Sequence, residues 1–207
     1  MMQIQIWADF ECPYCYFQTI VLSQLKARYQ DKVEIIWRAF ELSPVEGNVS
    51  LSQSYINSFE AAKSESIVAE ESLNLLTPKF LTYTWLAQES VYFANSQELS
   101  LKLARALFDA FFLQGLDISN EEVVMQLAVQ SGIDEQALRE ALDGDVLTKH
   151  VMADEQEFKT YGLQGLPAML IGEKDFSPKS FMPITGYKTL DELIKLLPNE
   201  QRVLNSK

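Results

Sequence analysis

Cys12 and Cys15 are the only thiols in the chain, and two residues separate them. A C-x-x-C pair fits three readings: dithiol–disulfide exchange, half of a zinc site, or two small core residues with no chemistry. Position separates the three. Residues Gln3 to Asp9 alternate, with Ile4 and Ile6 on one side, which predicts a strand. Phe10-Glu11-Cys12-Pro13 interrupts it. From Tyr14 to Tyr29 the apolar residues Phe17, Ile20, Val21 and Leu25 recur at helical spacing. Cys12 therefore falls at a strand-to-helix turn, with Pro13 at the first helical position, where a missing N–H costs nothing. The unpaired N–H groups and the positive dipole end of the helix then face the Cys12 sulfur and favour thiolate over thiol. Cys15 lies one turn further on, on the same face, placed to attack a mixed disulfide formed at Cys12. The expected roles are nucleophile for Cys12 and resolving thiol for Cys15.

Neighbouring residues qualify this. Glu11 and Asp9 both oppose an anionic sulfur. The residue between Pro13 and Cys15 is Tyr14, not a histidine, so backbone donors must do most of the stabilising, and Tyr14 is the expected exposed contact. Asp9 has two readings: a hydrogen-bond partner holding the turn, or a buried proton acceptor for Cys15. A structural zinc site needs four ligands, and beyond the pair the sequence offers a single histidine, His150, so no metal is expected. His150 is expected in a surface or structural role, with a proton shuttle near the thiols as its other reading.

Around these residues the chain has 207 positions, enough for one sizeable core. With 29 acidic and 17 basic residues the formal net charge is −12, a field that repels phosphate backbones and anionic lipid. Neither nucleic acid nor membrane is an expected partner. No signal peptide or apolar run of spanning length is visible, so a cytoplasmic location is expected. In a reducing cytosol a close cysteine pair is more often catalytic than a permanent staple.

The order of elements reads β-α-β, helices, β-β-α. Val33 to Phe40 is a second strand, and two strands joined by a helix predict a parallel βαβ unit. From about Leu51 to Tyr161 helical periodicity runs almost throughout, broken at Thr77-Pro78, Asn95-Ser96, Gly115, Gly132 and Gly144. Ser119 with Glu122 suggests a capping box, Gly132 a helix C-terminus and Asp134 an N-cap. The stripe Phe108, Phe111, Phe112 is expected in the core. Strands resume at Ala168 to Ile171 and Phe181 to Thr185, and Thr189 with Glu192 opens a last helix. The expected domains are residues 1–50 with 162–198, an inserted helical block over 51–161, and a polar tail over 199–207. Gly165-Leu166-Pro167 leads into a strand, and a cis peptide there would present the strand start to a ligand.

Together these residues carry a resemblance. Asp9, Cys12-Pro13-Tyr14-Cys15-Tyr16, Ala106 to Phe112 with Gly115 and Asp117-Ile118, Asp154-Glu155, and Gly162 to Pro167 are similar to the DsbA-like branch of the thioredoxin superfamily. Within that branch the chain resembles cytoplasmic FrnE-like members, over nearly its whole length. The resemblance implies a thioredoxin-like α/β fold with a large helical insertion. It implies Pro167 as a cis-proline beside the active disulfide, and Leu166 as the residue offering its backbone to a substrate strand. It also implies thiol–disulfide exchange with protein or peptide partners, with no tightly bound cofactor and glutathione as a conceivable co-substrate thiol. The oligomeric state stays open, with a monomer as the expectation. Two positions depart from the pattern: Tyr83-Thr84-Trp85-Leu86-Ala87-Gln88 lacks the Asn and His of the family's Asn-Thr-x-x-Ala-His, and Leu166 is bulkier than the usual Val.

Kappa-class glutathione transferases and hydroxychromene carboxylate isomerases are the alternative. They share an Asp-Phe-x-Ser-Pro-Tyr-Ser-like opening, which Asp9 to Cys15 matches except that both serines are cysteines. A serine can orient glutathione but cannot cycle through a disulfide. A redox-sensing binding protein without turnover is the third reading.

Overall fold

The computed structural model describes residues 1–65, 67–68 and 71–197. Residues 199–207, expected as a polar tail, lie outside the described residues. Among the described residues a four-stranded sheet takes the order β2-β1-β5-β6. Its strands are β1 (Met2–Ala8), β2 (Val33–Ala39), β5 (Ala168–Glu173) and β6 (Met182–Thr185). β1 and β2 are parallel, with Ile4 opposite Ile35. They are joined by α1 (Pro13–Tyr29), as the βαβ reading requires. β5 runs antiparallel to β1, and β6 antiparallel to β5.

β1 is central and buried on both faces, so it needs more than one apolar side. Ile4 and Ile6 face α1, while Trp7 joins Ala168, Leu170 and Phe181 on the other face. Gln5, a polar residue in this strand, is satisfied by Arg38, whose Nε donates to it at 3.0 Å. Arg38 also pairs with Asp154 and Glu157 on α7 (Asp145–Thr160), tying that helix to β2.

Between β2 and β5 come α2 (Gln53–Ser64), the two-residue strands β3 (Ile67–Val68) and β4 (Glu71–Ser72), α3 (Trp85–Asn95), α4 (Ser100–Phe112), α5 (Glu121–Ser131), α6 (Glu135–Leu142) and α7. α8 (Leu190–Leu196) closes the described chain behind a Thr189–Glu192 capping box. The helices share the core of the sheet. Phe108 on α4 sits 4.9 Å from Phe10 and 5.2 Å from Tyr16, ring centre to ring centre. Phe111 and Phe112 are buried with it, as their spacing predicts. α1 is consequently enclosed by sheet on one side and α4 on another, and its first three turns are apolar nearly all round.

The helical reading of 51–161 needs correction over 67–68 and 71–84. Beyond the short β3–β4 hairpin, Leu73 and Leu75 are buried while Ser72, Asn74 and Leu76 are exposed. That period of two marks extended chain, and Pro78 removes a helical donor. Its N–H groups go elsewhere: Leu76 donates to the Phe112 carbonyl, and Leu81 pairs with Val49. The Ser119–Glu122 capping box is also corrected. Asn120 caps α5, accepting from the Glu122 and Val123 N–H groups, because the Ser119 hydroxyl is held by Asp117. Gly132 does end α5 in a left-handed conformation, φ 101°, and Asp134 caps α6. Among the described residues no helix is long and apolar enough to cross a membrane.

Candidate active site

Cys12 is the N-cap of α1, with extended backbone (φ −94°, ψ 112°) and Pro13 behind it. Its sulfur accepts the Cys15 N–H at 3.3 Å, one of the helix's otherwise unpaired donors. The turn is closed from below by the Cys12 N–H donating to the Asp9 carbonyl at 3.1 Å. Cys12 is 7% exposed and Cys15 not at all. Both are free thiols. Burial pushes the Cys15 thiol well above the ordinary range, and the adjacent Cys12 adds to it.

The Leu166–Pro167 peptide is cis, and the Leu166 carbonyl lies 4.0 Å from the Cys12 sulfur. Gly165 precedes it at φ 71°, and the Pro167 carbonyl accepts from the Gly186 N–H, anchoring the turn to the end of β6. Fold and loop thus bring Cys12, Cys15, Leu166 and Pro167 together. Tyr14 is half-buried on the rim, its hydroxyl 3.5 Å from exposed Glu65. Tyr16 is buried, its hydroxyl donating to Asp109, over which Arg105 closes at 2.7 Å.

Asp9 is fully buried. One carboxylate oxygen accepts from the Leu42 N–H at 2.6 Å, the other from the Thr84 hydroxyl at 2.9 Å. It holds the turn to two distant loops, the first of the two readings. Burial still raises its pKa to about 6, against the pull of those donors, so a proton-accepting role is chemically open to it. His150 is exposed on α7, its ring stacked on Tyr92 at 4.6 Å.

Several site residues escaped the sequence reading. Thr84 bridges Asp9 and Glu41, at 2.9 and 3.3 Å. Gln88 donates to the Ala8 and Phe40 carbonyls and accepts from Trp37 Nε1 at 2.9 Å. The Tyr55 hydroxyl donates to the Glu11 carbonyl at 2.9 Å. Thr84 and Gln88 were visible as the Tyr83–Gln88 stretch, whose role no local pattern revealed. Glu11 and Glu41 are buried as well. Burial first, then the Asp9 charge, raises Glu11 to about 8 and Glu41 to about 7. Glu11 faces the Ser43 hydroxyl and the Thr82 N–H, yet neither of its oxygens closes a well-formed hydrogen bond. Among the described residues no group of three or more His, Cys, Asp or Glu side chains is arranged to hold a metal ion.

Dithiol exchange is what this arrangement can perform. An accessible sulfur sits on a helix N-terminus, a second thiol lies buried one turn behind it, and a backbone carbonyl stands beside the first. A family model described as a DSBA-like thioredoxin domain matches residues 3–195. The chain is 24% identical over 149 residues to the uncharacterized protein YwbO of Bacillus subtilis (strain 168), covering 69% of this chain and 72% of that one. In three dimensions it is similar to a putative protein disulfide isomerase from Nitrosomonas europaea, with a TM-score of 0.77 at 17% identity over 100% and 99% of the two chains. It is also similar to a 2-hydroxychromene-2-carboxylate isomerase, with a TM-score of 0.70 at 19% identity over 98% and 96%. With nearly the whole chain matched and its elements in the order the fold requires, this protein belongs to the DSBA-like thioredoxin-domain family.

Proposed function

We propose that this protein is a thiol–disulfide oxidoreductase that exchanges disulfides with protein or peptide substrates through Cys12 and Cys15. The observation that carries the reading is the asymmetry of the pair. Cys12 is the helix cap and keeps 7% of its surface exposed, whereas Cys15 is wholly enclosed behind it. In the reducing direction the Cys12 thiolate attacks a substrate disulfide, forming a mixed disulfide and releasing one substrate thiolate, which takes up a proton. Cys15 then loses its proton, attacks the Cys12 sulfur and expels the second substrate thiolate. The protein ends with a Cys12–Cys15 disulfide and the substrate as two thiols. Run backwards, the same steps oxidise a dithiol. Leu166 and Pro167 lie where an extended substrate backbone would pass the Cys12 sulfur. A cytoplasmic, FrnE-like role is part of this proposal.

The isomerase or glutathione-transferase alternative shares the fold but makes no use of a second thiol. The test is reduction of a model disulfide protein by dithiothreitol with and without catalytic amounts of this chain. Catalysis is expected from the wild type and from neither Cys12→Ser nor Cys15→Ser. Catalysis surviving in Cys12→Ser overturns the proposal, and glutathione-dependent activity that survives Cys15→Ser favours the alternative.

A further inference from the structure

The charged groups acting on Tyr14 and Tyr55 are all negative. Glu65 and the Cys12 sulfur act on Tyr14, the rim residue between the cysteines. Glu11, the Cys12 sulfur and Asp9 act on Tyr55, whose hydroxyl is bonded to the Glu11 carbonyl. Glu41 lies behind, joined to Asp9 through Thr84. Among the described residues none of Asp9, Glu11, Glu41 and Glu65 is in an ion pair. Arg105, which lies 5.3 Å over the Tyr16 ring, has its guanidinium committed to Glu71 and Asp109. Glu11 is 1% exposed and faces the Ser43 hydroxyl and the Thr82 N–H without closing a well-formed hydrogen bond, and one Glu41 oxygen has no partner.

We infer that the site selects cationic thiol and disulfide substrates, peptides with Lys or Arg beside the reacting cysteine, over anionic ones such as glutathione. This deepens the exchange function proposed above and rests on it. A partly buried site lined by one sign focuses its field outward through low-dielectric walls, so a cation is drawn to the sulfur and an anion held off. The rest of the chain, at −12, reinforces the sign. Glutathione carries two carboxylates against one ammonium and meets a rim whose nearest charged partner to Tyr14 is a carboxylate. The field strengthens as the carboxyls ionise. Asp9 titrates near 6, Glu41 near 7 and Glu11 near 8. The groups facing Glu11 are Asp9 just after β1, Glu41 and Ser43 after β2, Thr82 before α3, and Tyr55 on α2, whose hydroxyl bonds its backbone carbonyl.

The test uses the reduced full chain with three small disulfides: cystamine (dication), bis(2-hydroxyethyl) disulfide (neutral) and dithiodiglycolate (dianion). Each rate is divided by that of mercaptoethanol with the same disulfide, which removes intrinsic reactivity. Formation of the Cys12–Cys15 disulfide is followed by acid quench, alkylation and mass. The enhancement is expected to fall from dication to neutral to dianion, by about tenfold between the extremes at low salt. The spread should shrink at high salt and widen from pH 6 to pH 8, where cystamine is still a dication. Glu65→Gln should narrow it. Glu173→Gln makes the same change in net charge at the opposite end of β5 from Pro167, and should leave it as it was. Equal enhancement for all three disulfides, a reversed order, or equal narrowing by both variants overturns the inference while leaving exchange intact. No exchange with any of the three overturns the exchange function and this inference with it.

Discussion

The sulfur of Cys12 lies 4.0 Å from the carbonyl oxygen of Leu166, across 154 residues of chain. The fold makes that meeting by setting β1 and β5 side by side with Trp7 opposite Ala168, so the turn after one strand faces the turn before the other. Everything accessible at the pair is therefore Cys12. Cys15 is sealed beneath it, and burial disfavours its thiolate. Brief treatment of the reduced native protein with iodoacetamide should give one adduct, at Cys12, with Cys15 modified only after denaturation. Peptide mass mapping reads the outcome, and a first adduct at Cys15 would reverse the assigned roles.

What was legible in the sequence was whatever local rules decide. Pro13 behind Cys12, the Thr189–Glu192 box, Gly132 and the extended run of β1 are each set within a few residues. The floor of the site was not legible, because its bonds join Asp9 to Thr84 over 75 residues and Gln88 to Ala8 over 80. Leu73 and Leu75 read as helix because a short apolar run fits either period until its neighbours fix it. Ser119 and Asn120 were equally able to cap α5, and only the capture of Ser119 by Asp117 decided between them.

The Thr84 hydroxyl is shared by two buried carboxyls. Replacing it by valine keeps the shape and leaves Asp9 and Glu41 to face each other without it. Thr84→Val should cost about 1–3 kcal/mol in urea unfolding at pH 7, the range for a buried polar group losing its partner. The loss should be smaller at pH 5, where Glu41 and most of Asp9 are protonated and their mutual repulsion is relieved. Thr84→Ser should restore most of it.

Gln88 fastens the ends of β1 and β2 to α3 with three hydrogen bonds, to Ala8, Phe40 and Trp37. Leucine is close in volume and can make none. Gln88→Leu should destabilise by about 2–4 kcal/mol, because two carbonyls and an indole N–H lose their partner together. Tryptophan fluorescence should shift as Trp37 loses its acceptor. A loss below about 0.5 kcal/mol would mean that water or a shifted backbone replaces the side chain.

Glu11 gives the fold a pH dependence of unusual sign. Its pKa rises from 4.5 in an open chain to about 8 here, with Asp9 and Glu41 raised alongside it. The native state then binds more protons than the unfolded one between pH 4.5 and 8, so stability falls as pH rises through that window. The contribution is complete below pH 4.5 and gone above about 8. Glutamine keeps the neutral shape and cannot ionise. Glu11→Gln should therefore be near neutral at pH 5 and stabilising by about 1–2 kcal/mol at pH 8.5, since each pKa unit is worth 1.36 kcal/mol and part of the shift is relieved by relaxation. Thermal unfolding of both proteins from pH 5 to 9 decides it. The wild-type Tm should drop across the range more steeply than that of the variant. Parallel curves would show that Glu11 stays uncharged throughout, or that its charge is already compensated in the native protein.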